Sequence, residues 1–430
     1  MQMRKLRTRT GVWAVAAVAL AGCTPSAATS DDAEYGSDTV SLWYISDAEP
    51  IVAPAIARFE KDNPGVTVDA TGYANDDLNT KLTVALGTKA APDVFVNRGG
   101  SFLDAQVKSG QVISLDDVVE SGGFDDSIGS GALATGEVDG SVWAIPVLSD
   151  ASMVWYNTET FANEGLTAPK TWEEFIETVK ALKAAGHTPI AMANKTQWPG
   201  LHWWSEIVTL ACGPEVLKGI GAGDENYDFT DPCFVEAGER IQELVEAGAF
   251  NDGFNGLDYD TGESRQLFWS GAAAMNHMGN WTVAAALEEA PEMAAKMDFF
   301  NVPAWSGAKG TSDMMTGGIG MAWSVTNKSG DSTNAQALVK YLSDEETGQV
   351  AAENGRIPVI AGVSLSDPLL GKVAEAINKA PAFQLWPDVV LAPTLATEVY
   401  DQSQALFGLE TDPQAAAEAL QSTLEVVRKN

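Results

Sequence analysis

The stretch 145-IPVLSDASMVWYNTETFANEGLTAPKTWEEFIETVKALKAAG-186 decides the fold. An apolar run ends at a lone carboxylate, Asp150. A second run, Met153 to Tyr156, leads to Asn157, so the pattern predicts two strands in succession. A short polar helix, Gly165-Leu166 and Pro169 come next, and then a strongly signalled helix. Thr171 and Glu174 have capping-box spacing at its start. Trp172, Phe175, Ile176, Val179 and Leu182 fall on one face, and Gly186 is placed to end it. Periodicity alone therefore gives strand, strand, amphipathic helix.

Upstream, Thr39–Ile45 reads as a strand, and Val52, Ile56 and Phe59 mark a helix face. Asn63-Pro64-Gly65 is a turn before a second strand opened by Val66 and Val68. Leu78, Leu82 and Ala85 mark another helix, and Asp93 to Val96 a third strand. This βαβαβ order predicts an α/β lobe with a mainly parallel sheet. Ligands of such sheets sit beyond the carboxyl ends of strands. Those ends carry Trp43, Tyr44, Ser46 and Asp47 after the first strand, and Asn97 and Arg98 after the third. Downstream the chain is richer in helix and tryptophan, with helices expected within 195–212 and over 234–246. Gly317 to Val325 reads as a strand after a glycine pair.

Arg4, Lys5, Arg7 and Arg9 precede an apolar stretch, Gly11 to Ala21, too short to span a bilayer as a permanent helix. It ends in Leu20-Ala21-Gly22-Cys23, which resembles a bacterial lipobox. Residues 1–22 are expected to be a lipoprotein signal peptide, with Cys23 as the lipid attachment point. Residues 23–38 are expected to form a lipidated, flexible tether. Without the signal peptide 408 residues remain, enough for two or three domains. They carry 22 basic side chains against 59 acidic ones, a net charge of −37. Such a field argues against nucleic acid as a partner and disfavours a phosphate ligand. Cys212 and Cys233 are left as an even pair in an exported chain, so a disulfide is expected. His187, His202 and His277 lack metal-ligand spacing, and no P-loop is present. Neither a metal, a cofactor nor ATP hydrolysis is expected.

The wording of the opening stretch, IPV…WYN…F…GL…P.TW.EF…LK..G, resembles the extracellular solute-binding family that serves ABC importers. FWSGAAAMNHMGNW, residues 268–281, is similar to that family's F..G.aAM…G.W signature. GGIGMAWSV and Asn354-Gly355-Arg356-Ile357-Pro358-Val359 match later segments in the same order. The resemblance covers residues 39–430 and implies a periplasmic-binding-protein-like α/β fold. It implies two discontinuous lobes, 39–148 with 315–350 and 149–314 with 351–430, joined by hinge strands around a ligand cleft. It also implies membrane permease subunits as partners and a monomeric receptor.

Sugar recognition needs flat aromatic rings against pyranose C–H faces and planar polar groups for hydroxyl pairs. The resemblance places Trp281 against the ligand with Asn280 beside it, and gives Trp386 a similar stacking position. It makes Asp150 the inter-lobe carboxylate, for which a hinge cap or salt bridge is the alternative. Asp47, Asn97 and Arg98 are further candidates, as are Trp43 and Tyr44, of which one should point inward. Trp198 leads an aromatic group with His202, Trp203 and Trp204, and adjacent Trp203 and Trp204 cannot both face a cleft. Gly317 and Gly318 permit close backbone approach. Arg356 reads as a surface or hinge residue. The expected activity is capture of a di- or oligosaccharide at the outer face of the membrane. A secreted glycoside hydrolase also places carboxylates in a cleft, but no catalytic motif accompanies them here. A binder of a polyamine, a glycerophosphodiester or an iron chelate is the other alternative.

Overall fold

A computed structural model describes residues 38–328 and 332–429. The expected signal peptide, Cys23 and the tether up to residue 37 lie outside the described residues. β1 (Thr39–Ile45), the helix Glu49–Asp62, β2 (Thr67–Tyr73), the helix Asn75–Ala85 and β3 (Val94–Asn97) form the expected βαβαβ unit. β1 runs parallel to both neighbours, giving the order β2-β1-β3. β4 (Glu137–Val138) and β5 (Ser141–Val142) make a small separate ribbon.

β6 (Ile145–Asn157) is one strand of 13 residues where the sequence pattern suggests two. The remaining strands are β7 (Thr188–Ala191), β8 (Ala273–Gly279), β9 (Met297–Phe300), β10 (Met315–Val325) and β11 (Phe383–Leu385). The sheet order is β2-β1-β3-β10-β6-β8-β7, with β11 on β10 and β9 on β6. β6 stays continuous because β10 pairs with its first half, and β8 and β9 with its second. A polar residue at Asp150 therefore interrupts the apolar pattern without interrupting the hydrogen-bond ladder.

The side chains of β6 feed three cores. Ile145, Val147 and Leu148 belong to the first, which gathers residues 40–148, much of β10 and the segment up to Ile360. Val154 enters a second core with the helices Trp172–Ala184, Trp198–Cys212 and Cys233–Glu246. Ala151, Met153 and Trp155 enter a third, on the opposite face of the same half of the sheet. The change from the first core to the others falls between Leu148 and Ala151, so Asp150 stands at the junction of two lobes.

The helix Trp172–Ala184 forms for the reasons visible in its sequence. The Thr171 hydroxyl accepts the Glu174 amide, and Trp172, Phe175, Ile176, Val179 and Leu182 are buried. The Glu174 carboxylate accepts from the Lys170 amide, one residue before the expected position. Gly186 at φ +92 closes the helix with amides of 186 and 187 returning to Lys183 and Leu182. Cys212 ends one helix and Cys233 begins another, and the two are disulfide-bonded with Cα atoms 5.1 Å apart.

Candidate functional site

Asp150 is 4 % exposed, midway along β6 opposite Gly318 of β10. The register slips by one residue at Gly320, and a Cβ there would lie 2.3 Å from Asp150 Oδ2. The missing side chain is what lets the carboxylate lie against the strand. Arg356 Nη2 is 3.4 Å from Asp150 Oδ2, and its Nη1 is 3.6 Å from Asp47 in the turn after β1. The Arg356 turn is pinned to β6 by Ser149 N donating to Ile357 O. Burial pushes the Asp150 carboxyl above its ordinary value. Arg356 counters that rise, Asp47 adds to it, and Arg98 counters it again.

Asn280 fixes this carboxylate from behind. It has no exposed surface; its Oδ1 accepts from Ala151 N at 2.7 Å and its Nδ2 donates to Ser149 O at 3.2 Å. The side chain thus grips the strand on both sides of Asp150, so its hydrogen bonds go to the backbone rather than into open space.

Four rings gather beside the carboxylate. Trp281 begins a helix directly after β8, and a Cβ at Gly279 would be 2.0 Å from its ring, which explains the glycine two residues earlier. Trp198 and His202 share one face of the helix Trp198–Cys212 by their i, i+4 spacing. Trp386 follows β11, its amide donating to Gly317 O. His202 stacks on Trp386 with centroids 4.4 Å apart and planes 3° from parallel. Trp281 lies 6.1 Å from Trp198 and 6.2 Å from Trp386. Its Nε1 faces the Tyr259 hydroxyl at 3.4 Å, and Tyr259 also meets Trp198 edge-on at 4.5 Å. A Cβ at Gly318 would be 3.1 Å from the Trp386 ring, while one at Gly317 would be 2.2 Å from Asp150 O. Close approach therefore requires glycine at 317, where a Cβ would strike backbone, and leaves only a tight fit for a Cβ at 318 beside the ring.

Arg98 donates to Asn75 Oδ1, and its charge acts on Asp150, His202 and Asp388. Burial, then His277, then Arg98 hold the His202 imidazole well below its ordinary value, leaving it neutral near pH 7. Burial raises the Asp388 carboxyl, against Arg98 and the Tyr400 hydroxyl. Asp47, Arg98, Asp150, Trp198, Asn280, Trp281, Gly317, Gly318 and Trp386 thus come together.

Three candidates fall elsewhere. Asn97 spends its amide on Gln106, Ser324 and the following two backbone N–H groups, so it builds a turn. Trp43 packs edge-on to Tyr73, and Tyr44 is buried in the first core. Trp203 and Trp204 are both buried in the second core, facing away from the cleft. The sequence reading named His202 only as one of an aromatic group and Arg356 only as a surface or hinge residue, and passed over Tyr259, Asp388 and Gly320. The helical spacing from Trp198 carried a signal for His202. The third glycine of GGIG carried one for Gly320. For Arg356 nothing signalled its burial, at 6 % exposed, or its ion pairs, because Asp47 and Asp150 lie far away in the chain.

Two lobes joined by a continuous sheet, with aromatic rings and buried ionic groups at the crossing, define a solute-binding protein. The profile of the bacterial extracellular solute-binding protein family matches residues 44–349, and the chain belongs to that family. The multiple sugar-binding protein of Streptococcus mutans serotype c is 25 % identical over 355 residues, 77 % of each chain. The sn-glycerol-3-phosphate-binding periplasmic protein UgpB of Rhizobium meliloti is 27 % identical over 223 residues, 47 % of this chain and 48 % of its own. A solved chitin oligosaccharide binding protein superposes with a TM-score of 0.83 at 25 % identity, covering 91 % of this chain and 99 % of that one.

Proposed function

We propose that the chain captures a neutral carbohydrate, a di- or oligosaccharide, between its lobes and delivers it to an ABC permease. It works as a monomer held by Cys23 to the outer face of the membrane. One observation carries the carbohydrate reading. Among the described residues around the rings, several buried polar atoms lack hydrogen-bond partners. Trp198 Nε1, Trp386 Nε1 and Arg356 Nε are donors; Asp150 Oδ1 and Asp388 Oδ1 are acceptors. A ligand with adjacent hydroxyls, each both donor and acceptor, complements such a mixed set, and its C–H faces complement the rings. Leaving a buried polar group unmatched costs about 1–3 kcal/mol, so a ligand that satisfies several gains both affinity and specificity.

Glycerol phosphate is the competing ligand, since a relative bears that name. It is disfavoured because Arg356 is already shared between two carboxylates and Asp388 stands nearby. A hydrolase is disfavoured because the matched relatives are binding proteins. A thermal-shift panel of neutral oligosaccharides, sn-glycerol 3-phosphate and polyamines tests the reading. At a ligand concentration one hundred times Kd the expected stabilisation is about 2.7 kcal/mol. A shift with the phosphate or a polyamine and with no sugar would overturn it, as would enzyme-dependent cleavage of a bound oligosaccharide.

A further inference from the structure

The residue before Trp198 has a backbone that a side chain rarely adopts. Gln197 sits at φ +64° and ψ −37°, at the entry to the helix Trp198–Cys212. Among the described residues, the other non-glycine residues with positive φ are Asp139 and Leu409. Each has an ordinary local reason. Asp139 shares the tight β4–β5 turn with Gly140, and Leu409 lies just past the end of the helix Pro393–Phe407. Gln197 precedes a helix, where the backbone is ordinarily extended. Here the Trp198 amide donates to Thr196 O at 2.7 Å, across a single residue. That is the positive-φ form of the γ-turn, the rare and strained one.

Strain of this kind persists only where the surroundings hold it. Gln197 Nε2 donates to Asp401 Oδ1 at 2.9 Å and to Gln404 Oε1 at 3.2 Å, both on the helix Pro393–Phe407. Gln404 Nε2 donates to Asn194 O at 2.7 Å, and the Gln197 amide donates to the same carbonyl at 3.1 Å. Asn194 has no exposed surface; its Oδ1 accepts from Gly200 N at 2.8 Å and its Nδ2 donates to Asn255 Oδ1 at 2.6 Å. The segment 194–200 is thereby tied to the helix Pro393–Phe407 and to Asn255.

What the turn delivers is the Trp198 ring. The residue on its other side is a poor anchor, because Pro199 lacks an N–H and disfavours a helical backbone in the residue before it. The ring meets Tyr259 edge-on at 4.5 Å, His202 at 5.2 Å and Trp281 at 6.1 Å, and its Nε1 is buried with no hydrogen-bond partner. From this geometry we infer that Gln197 is a positioning residue for solute binding. Asp401 and Gln404 hold its turn at positive φ, and the turn sets the Trp198 indole N–H where a solute hydroxyl can accept it. The ring is then ordered on folding, before the solute arrives, and such preorganisation raises affinity. This role rests on the carbohydrate reading, whereas the turn geometry does not.

The test uses the whole protein with isotope-labelled tryptophan, read by its indole N–H resonances. The Trp198 signal is the one lost in Trp198→Phe. Calorimetric titration with maltotriose, cellotriose and xylotriose supplies the affinities. Gln197→Ala removes the tether, and alanine resists positive φ, so the turn relaxes. It is expected to shift or broaden the Trp198 signal without sugar, and to weaken the tightest-binding trisaccharide about ten-fold. Gln197→Gly also lacks the tether, but glycine takes positive φ freely. It is expected to melt above the alanine variant and to recover most of the wild-type signal and affinity. Asp401→Ala, at an exposed position, is expected to move the Trp198 signal as Gln197→Ala does, and carries the test if that variant fails to fold. A wild-type indole signal or wild-type affinity in Gln197→Ala, or a glycine variant as impaired as the alanine one, would overturn the proposal. If no trisaccharide binds the wild type, the carbohydrate reading fails, while the indole signals still judge the turn.

Discussion

Two tryptophans with the same side chain have opposite duties. Trp281 stands among the cleft rings, whereas Trp323 has no exposed surface and donates its indole N–H to Leu342 O. Trp281→Ala is expected to weaken sugar binding by about 1–3 kcal/mol, by analogy with stacked rings elsewhere, and to leave the fold largely intact. Trp323→Ala is expected to cost about 3–5 kcal/mol of stability through the cavity it leaves. Calorimetric titration and denaturant melts separate the two, and wild-type affinity in Trp281→Ala would remove that ring from the site. The Arg356–Asp150 pair gives a pH signature. Because burial raises the Asp150 carboxyl in the folded state, its contribution to stability falls as pH rises through that raised value. Removing Arg356 raises it further. Arg356→Met is therefore expected to lose about 3–5 kcal/mol near neutral pH. It should recover roughly 1.4 kcal/mol per pH unit relative to wild type as Asp150 takes up its proton in acid. Equal losses at pH 5 and pH 7 would show that the pair is not electrostatic in origin.

At the scale of elements, the sequence was legible wherever one face of a helix or strand meets one core. The helix Trp172–Ala184 and the strand β1 have the bounds and buried faces their patterns suggest. Legibility failed at β6, because a strand that serves three cores in turn has no single period. It failed for Asn97 and Tyr44 because position at a strand end predicts proximity to a cleft, while turn hydrogen bonds and packing decide direction. The ion pairs of Arg356 and the buried charge of Asp388 were invisible because their partners come from remote elements. Gly320 provides the corresponding test: Gly320→Ala places a methyl group on the Asp150 carboxylate. The expected result is a cost of about 1–3 kcal/mol in stability together with weakened solute binding. Unchanged melting and affinity would mean the bulge relaxes freely. The Cys212–Cys233 bridge closes a separation of 21 residues. Replacing both cysteines by serine is expected to cost about 3 kcal/mol in denaturant melts, and two free thiols in freshly purified exported protein would contradict the pairing.

On the scale of the molecule, the net charge and the Leu-Ala-Gly-Cys sequence suit a receptor working outside the cell on a membrane anchor. Cys23→Ala is expected to move the protein from the membrane fraction into the medium, and unchanged detergent partitioning would sink the anchor. The sheet order carries a consequence for how such a chain comes into being. β3 waits for a partner on its open side until β10 is made, and Val94 meets Val325 only 231 residues later (325 minus 94). Until then the nascent first lobe has an unfilled central slot and cannot lock. Contacts so distant in sequence form slowly, because loop closure precedes any gain from pairing. In a chain exported as proposed above, such a delay would leave the polypeptide a thread that a translocation channel can still pass.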